Sequence, residues 1–188
     1  MKLKIAKRMS SLEPSSTIAI SAKANELKTQ GKDVVSFSVG EPDFDTPQII
    51  KQAAVKAIND GKTKYTAVGG TVGIKDAIRD KLKRDNNLNY ENDEICVNVG
   101  AKHSLFNVFA ALIEKGDEVI VPAPYWVTYP ELVNYYDGIS VVVDTAKSNN
   151  FKITPNELKK AITPKTKMLI LTSPSNPTGS VYSKDELI

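Results

Sequence analysis

The stretch Lys167-Met168-Leu169-Ile170-Leu171, followed by Thr172-Ser173-Pro174-Ser175-Asn176-Pro177-Thr178-Gly179, joins a short apolar run to a polar loop. The apolar run has the length of a buried strand, and two prolines and a glycine then end it and fix a turn. Asn176 lies between the prolines, and its side-chain amide can both donate and accept hydrogen bonds. The stretch therefore predicts a rigid polar loop at the end of a strand.

Similar apolar runs occur earlier in the chain and alternate with helical patterns. Their continuous hydrophobicity indicates strands covered on both faces, and strands alternating with helices indicate a parallel sheet. We therefore predict an α/β fold with three layers, α/β/α, around a mostly parallel sheet. The four predicted strands are Ile95–Val99, Val119–Val121, Ile139–Val143 and Met168–Leu171.

Helices are predicted from caps and from apolar periodicity. Lys102–Glu114 places Leu105, Phe106, Phe109, Leu112 and Ile113 on one face, and Thr154-Pro155-Asn156-Glu157 is a capping box that opens another helix. Further helices are predicted over Ser15–Gln30, from Thr46-Pro47 to Gly61, and after Gly69-Gly70-Thr71-Val72-Gly73, and a short strand over Val34–Val39.

The predicted domain organisation has two parts. Residues 1–45 are expected to form an N-terminal arm and a segment of a small domain, and residues 46–188 the first part of a large domain. A last capping box, Ser183-Lys184-Asp185-Glu186, is followed by only two residues. From this we expect the natural protein to continue beyond this segment.

Composition narrows the possible functions. The 188 residues carry a net charge of only +3, which does not favour a nucleic-acid or membrane partner, and the cytoplasm is the expected compartment. Cys96 lies in an apolar run and is predicted to be a buried structural thiol, and His103 is the single histidine. No metal site is expected, because a zinc cluster of histidines and cysteines needs more ligands than these.

Three predicted strand ends carry unusual residues, and such ends form ligand sites in open α/β sheets. Gly100 leads into a helix start suited to a phosphate, with Lys102 or Ser104 expected to help. Trp126 follows Pro122-Ala123-Pro124-Tyr125 and could stack on a flat ligand, although a lone tryptophan is more often a core residue. With Asn176, these features describe a site for a flat, phosphorylated, polar aromatic cofactor.

Five ordered motifs carry a family resemblance. They are Val39-Gly40-Glu41-Pro42-Asp43-Phe44-Asp45-Thr46-Pro47, Lys64-Tyr65, Gly100-Ala101-Lys102, Pro124-Tyr125-Trp126-Val127-Thr128-Tyr129-Pro130 and Ser173-Pro174-Ser175-Asn176-Pro177-Thr178-Gly179. From about residue 10 to the end, the chain resembles the class I aminotransferases of pyridoxal-phosphate fold type I. It looks most like their bacterial aspartate aminotransferase branch.

The resemblance implies site residues for the cofactor pyridoxal 5'-phosphate and for an amino-acid substrate. Gly40 would contact the substrate carboxylate through its backbone, and Trp126 would stack on the pyridine ring. The backbone N–H groups of Ala101 and Lys102 would bind the cofactor phosphate. Asn176 would hydrogen-bond the ring hydroxyl oxygen and help to hold the substrate.

Tyr65 matches the family tyrosine that reaches the phosphate of the neighbouring subunit, which implies a homodimer with shared sites. The resemblance also implies cis peptide bonds at Ala123-Pro124 and Asn176-Pro177. It places the Schiff-base lysine, the aspartate facing the pyridine nitrogen and the substrate arginines beyond residue 188. No catalytic residue is therefore expected within this segment, and the segment alone is expected to be inactive.

The expected reaction of the full-length protein is transamination, most simply between L-aspartate and 2-oxoglutarate. Three alternatives stay open: prephenate as the acceptor, a lyase or synthase reaction on the same cofactor, and a nucleotide-binding module without catalysis. The last lacks sequence support, because Val99-Gly100-Ala101-Lys102 has no Gly-x-Gly-x-x-Gly turn.

Overall fold

The computed structural model of the chain describes residues 3–10, 12 and 16–188. In chain order its helices are α1 (Lys7–Ser10), α2 (Ser16–Thr29), α3 (Gln48–Asn59), α4 (Val72–Asn86), α5 (Ala101–Leu112), α6 (Thr128–Tyr135), α7 (Pro155–Ala161) and α8 (Lys184–Leu187). The strands are β1 (Glu118–Ala123), β2 (Ile139–Asp144) and β3 (Thr166–Leu169). Short 3-10 turns cover Asn92–Glu94 and Lys147–Asn149.

The three strands form a parallel sheet in the order β2-β1-β3. In the β1–β2 pair, Glu118 to Ala123 lie opposite Ile139 to Asp144, residue by residue. In the β1–β3 pair, Val119 lies opposite Met168 and Ile120 opposite Leu169. A parallel sheet with helices between its strands confirms the predicted α/β class.

The core lies around β1. Val119, Ile120 and Val121 are all fully buried, so β1 is covered on both faces, as its continuous hydrophobicity predicts. Val119 and Val121 belong to a cluster of buried side chains from three elements. The other members are Phe109 of α5, Ile113 directly after α5, and Leu132 and Val133 of α6. β1 is therefore the strand that organises the packing.

The two outer strands are less covered among the described residues. Ile139 and Val142 of β2 are about half exposed, and Leu169 of β3 is more than a third exposed. The prediction that both faces are covered therefore holds for β1 alone within this part of the chain.

Two predicted strands are absent from the described structure. Val34–Val39 and Ile95–Val99 have no ladder partner, and Val97 makes a single backbone bond, from its N–H to the Gly69 carbonyl at 3.0 Å. A strand exists only through the hydrogen bonds to its neighbour, which an apolar run alone cannot guarantee. Cys96 is consequently exposed, and the prediction of a buried thiol is wrong.

The glycine pair before α4 has a structural role. Gly70 has a φ of +103°, and a Cβ there would lie 2.9 Å from the Val97 side chain. Only glycine allows this backbone conformation and this close approach together. The glycine-rich stretch before α4 therefore packs closely against residues 95–98.

Apolar periodicity predicted helix positions better than it predicted burial. α3 forms as predicted, yet none of its residues is buried, and Ile49 and Ile58 are largely exposed. In α5, Phe109 is buried as expected, whereas Phe106 is 37% exposed and packs on Tyr135 and Tyr136 instead of entering the core.

By its contacts the chain divides into two compact units. One contains the described residues up to Ala19 together with Leu105–Ile188, and the other contains Ile20–Ser104. The first holds the sheet, and the second holds α3, α4 and most of α2. Among the described residues, no helix is both long and apolar enough to span a bilayer. The predicted boundary at residue 45 stays a prediction.

Both predicted capping boxes form. At α7, Glu157 N–H donates to Thr154 Oγ1 and the Thr154 N–H donates to the Glu157 carboxylate. At α8, Ser183 and Glu186 make the same reciprocal pair. Hydrogen bonds from Thr154 lower the pKa of Glu157, so this carboxylate contributes stability above its ordinary pKa near 4.5 and loses it as the pH falls through the lowered value.

Replacing Thr154 by alanine should therefore lower the free energy of unfolding by about 1 kcal/mol, because it removes the side-chain cap of α7. Urea unfolding followed by circular dichroism measures this loss. Lys159→Ala, an exposed change in the same helix, is the matched control and should shift the free energy by less than about 0.5 kcal/mol. Equal effects of the two substitutions would show that the cap does not stabilise the helix.

Candidate active site

The loop after β3 has the rigid form that its sequence predicts. The Ser175 N–H donates to the Ser180 carbonyl at 2.9 Å, and the Gly179 N–H donates to the Ser175 carbonyl at 2.8 Å. Gly179 has a φ of +73°, a conformation that favours glycine. These bonds close the loop on itself and leave Asn176 exposed near its tip.

The peptide bonds before Pro124 and Pro177 are cis, as predicted. The bond between Ser173 and Pro174 is also cis, which the sequence had not indicated. The carbonyl of Ala123, just before Pro124, accepts from the Thr145 N–H at 3.3 Å and from the Thr145 hydroxyl at 2.5 Å. The residue after β2 therefore fixes the end of β1.

Trp126 is half-buried at the entrance to α6. Its ring meets the Tyr129 ring edge to face, with centroids 5.6 Å apart, and the Tyr129 N–H donates to the Trp126 carbonyl at 3.0 Å. Tyr129 thus supports the indole from one side. The alternative that Trp126 is a fully buried core residue does not hold.

Tyr129, in the first turn of α6, also bonds the loop that follows β3. Its hydroxyl and the Thr172 hydroxyl are 2.9 Å apart and share a hydrogen bond. Since Thr172 begins the loop that carries Asn176, the structure links Trp126 and Asn176 through two intervening side chains. Their strands are neighbours in the sheet, which explains why the two loops meet.

A narrow pocket lies beneath these loops. Asn176, Tyr125, Tyr129 and Thr172 line it together with residues of β1 and the turn before α7. Its volume of about 20 Å³ has room for roughly one water molecule. It is therefore a packed support under the loops and too small to be a ligand cavity.

The start of α5 has a defined geometry, although it does not follow a strand as predicted. Gly100 has a φ of +80°, and its carbonyl accepts from the His103 N–H at 3.1 Å and the Ser104 N–H at 3.3 Å. His103 Nδ1 accepts from the Val99 N–H, and the Ser104 hydroxyl accepts from the Asn98 amide at 3.1 Å. Ala101 and Lys102 form the exposed first turn, where helical N–H groups point outward.

The two remaining predicted site residues, Gly40 and Tyr65, lie in the unit Ile20–Ser104, as Ala101 and Lys102 do. Gly40 is exposed, and no atom outside its chain neighbours lies within 4 Å of the position of a Cβ. The Tyr65 side chain is fully exposed. Both positions are accessible, as residues that contact a substrate or a second subunit must be.

Three residues support the candidate site although the sequence motifs assign them no role. Tyr129 and Thr172 form the bond between the loops, and Tyr182 lines the pocket below them. A tyrosine three residues after Trp126 is compatible with a contact on one helical turn, and this signal could have suggested Tyr129. No sequence pattern pairs it with Thr172, which is 43 positions away.

A sequence model of the family described as "Aminotransferase class I and II" matches residues 32–188. The chain belongs to this family. It is 54% identical to the aspartate aminotransferase of Geobacillus stearothermophilus over 98% of its own length and 47% of that relative's. It is also 52% identical to an aspartate/prephenate aminotransferase of Nitrosomonas europaea, over the same shares of the two chains.

Solved structures confirm the fold. Aspartate aminotransferase from Thermus thermophilus with maleate superposes with a TM-score of 0.95 at 45% identity, over 99% of this chain and 49% of the other. The enzyme from Rhizobium meliloti gives a TM-score of 0.93 at 46% identity. The resemblance to class I aminotransferases and the fold type I assignment are thus confirmed, and the chain spans about half the length of these relatives.

The residues present fit the cofactor that this family implies. A helix start with outward N–H groups suits a phosphate, an indole suits a flat ring, and an exposed amide suits a ring oxygen. Among the described residues, no group of three His, Cys, Asp or Glu side chains could hold a metal ion. Each of these groups is of a kind that a flat organic phosphate needs. The helix start lies in the unit Ile20–Ser104, and the indole and the amide lie in the unit that holds the sheet.

The bond between Tyr129 and Thr172 should stabilise the paired loops by about 0.5 to 1.5 kcal/mol, the net value of a neutral hydrogen bond. Tyr129→Phe and Thr172→Val each remove it, so their effects on the free energy of unfolding should be coupled by that amount. Urea unfolding of both single variants and the double variant measures the coupling. Strictly additive losses would contradict the bond.

Proposed function

We propose that the full-length protein is a pyridoxal 5'-phosphate-dependent aminotransferase that transfers the amino group of L-aspartate to 2-oxoglutarate. The observation that carries this proposal is the identity of 54% with an aspartate aminotransferase over nearly the whole chain. The exposed Asn176, held on its rigid loop beside the support of Trp126, agrees with it. A family of aminotransferases favours an enzyme over a nucleotide-binding module.

Each predicted site residue then has a task. Ala101 and Lys102 bind the cofactor phosphate through the first turn of α5, with Gly100 giving the chain its left-handed entry. Trp126 stacks on the ring and excludes water from one of its faces. When bound, pyridoxal 5'-phosphate supplies the electron sink for chemistry at the α-carbon of an amino acid.

Asn176 orients the reacting groups. Its amide donates a hydrogen bond to the ring oxygen, and a bond to a charged oxygen is worth about 1.5 to 3 kcal/mol. Gly40 binds the substrate carboxylate through its backbone, since an exposed glycine lets a ligand approach closely. These two residues bind substrate without exchanging protons with it.

Tyr65 is proposed to reach the cofactor phosphate of a second subunit. Its side chain is fully exposed, and its hydroxyl can donate to a phosphate oxygen. The functional unit would then be a homodimer with shared sites. A cytoplasmic location stays a prediction.

Prephenate is the second candidate acceptor. The relative from Nitrosomonas europaea, 52% identical, is named "Aspartate/prephenate aminotransferase", and the one from Rickettsia felis, also 52% identical, is named "Probable aspartate/prephenate aminotransferase". Assays of the full-length protein with aspartate as donor and either 2-oxoglutarate or prephenate as acceptor separate the two reactions. The lyase alternative would instead release product without an acceptor.

The isolated 188-residue chain should show no transamination. The family resemblance implies that the lysine that bonds the cofactor lies beyond residue 188, and none of the lysines of this chain has that lysine's sequence context. A coupled assay of L-aspartate and 2-oxoglutarate, with pyridoxal 5'-phosphate added, tests this. Turnover above the protein-free background would refute it.

In the full-length protein, Asn176→Ala should reduce kcat/KM for L-aspartate by about 10- to 100-fold, the loss expected for one hydrogen bond to a charged oxygen. The absorbance of bound cofactor should also shift, because its ring oxygen loses a donor. Asn156→Ala, an exposed amide in the first turn of α7, is the matched control and should retain both properties. An Asn176 variant with unchanged kinetics would remove this residue from the site.

A further inference from the structure

Tyr182 makes hydrogen bonds in two directions from a half-buried position next to the Asn176 loop. Its hydroxyl accepts from the Ile153 N–H at 2.9 Å. Its own N–H donates to Ser173 Oγ at 3.1 Å. Its side chain also lines the narrow pocket that Asn176 lines. One residue therefore joins the turn before α7 to the beginning of the Asn176 loop.

The loop is attached to the same turn at a second point. The Ser180 hydroxyl donates to the Asn150 carbonyl at 2.5 Å. Ser180 also closes the loop through its carbonyl, which accepts the Ser175 N–H. The loop is thus closed internally and connected at two points to the turn formed by residues 150–153.

This turn has an unusual backbone. Asn150 and Phe151 have φ values of 51° and 56°, and a bulky residue such as phenylalanine rarely adopts this left-handed conformation. Such residues persist where the surrounding contacts hold them, and they cluster at functional sites. Phe151 lines the same pocket as Tyr182 and Asn176.

The Tyr182 hydroxyl satisfies a backbone donor in this turn. Ile153 is only 9% exposed, so its N–H would be left nearly without water if the hydroxyl were removed. A buried donor without an acceptor is unfavourable, and the turn would have to open to relieve it. The hydroxyl therefore couples the shape of the turn to the position of the tyrosine.

A charged side chain holds the ring from another direction. Lys152 Nζ lies 5.9 Å from the centroid of the Tyr182 ring and forms an ion pair with Glu186. The Lys152 side chain is 13% exposed, and its ammonium group, with the Ser183 N–H, lowers the pKa of Glu186. Lys152 therefore connects the Tyr182 ring, the turn of residues 150–153 and the first turn of α8.

We propose that Tyr182 is a positioning residue for Asn176, acting by fixing the Asn176 loop to the turn of residues 150–153. It does not touch the substrate. Removing its hydroxyl makes both the turn and the loop more mobile. The Asn176 amide is then in position to bond the cofactor oxygen in a smaller fraction of the molecules. This inference rests on the proposed aminotransferase function for its effect on rate, but its structural part does not depend on catalysis.

The test uses the full-length protein and the variant Tyr182→Phe, which removes only the hydroxyl. Tyr136→Phe is the matched control, because it removes a tyrosine hydroxyl that bonds a backbone group away from the loop. The Tyr136 hydroxyl donates to the Phe106 carbonyl, whereas the Tyr182 hydroxyl accepts from the Ile153 N–H. The first measurement is amide hydrogen exchange of the peptide 173–180 without cofactor. We expect exchange to be at least about threefold faster in Tyr182→Phe, the factor of one weak hydrogen bond, and unchanged in Tyr136→Phe.

The second measurement is the kinetics of transamination. Tyr182→Phe should lower kcat/KM about threefold to tenfold, and in an Asn176→Ala background the same change should have less than about a twofold effect, because both act through one amide. A purely structural role would leave the two effects multiplicative.

The outcomes separate the two proposals. Unchanged exchange in the peptide 173–180, or equal acceleration by the control, overturns the positioning role. Faster exchange with unaltered kcat/KM, or with multiplicative effects, also overturns it. A full-length protein that does not transaminate overturns the proposed function, whereas the exchange measurement still decides whether Tyr182 holds the loop.

Discussion

The pairing of β1 with a strand on each side is the constraint on which the rest of the sheet-containing unit depends. Val119, Ile120 and Val121 have no exposed surface, and a buried strand must place every backbone N–H and carbonyl in a hydrogen bond. β2 and β3 supply those bonds in parallel register. Burial of β1 thus requires both neighbours, and both neighbours bring their loops to the same edge.

That edge is where the candidate site lies within this unit. Parallel strands end on the same side, so the residues after β1, β2 and β3 are brought together without any special contact. The contacts then refine the arrangement: Thr145 holds the end of β1 through the Ala123 carbonyl, and Thr172 holds Tyr129. These bonds hold the loop on which Asn176 is exposed.

Much of this arrangement could be predicted from the sequence because its signals are local. Capping boxes at Thr154 and Ser183 depend on residues three positions apart, and both form. The cis bonds before Pro124 and Pro177 followed from a family resemblance tied to local motifs. Helix positions followed from periodicity, which is a property of the segment itself.

Burial and strand pairing could not be predicted in the same way, because they depend on partners that a local pattern does not contain. The run Ile95–Val99 is as apolar as β1, yet it has no ladder among the described residues and exposes Cys96. α3 has a clear apolar face and no buried residue. An apolar pattern shows which side chains a segment could bury, but whether they are buried depends on the elements that pack against the segment.

For the same reason, the contacts that support the Asn176 loop could not be predicted from the sequence. Tyr182 and Ile153 are 29 positions apart, and only the fold brings the hydroxyl to the N–H that it satisfies.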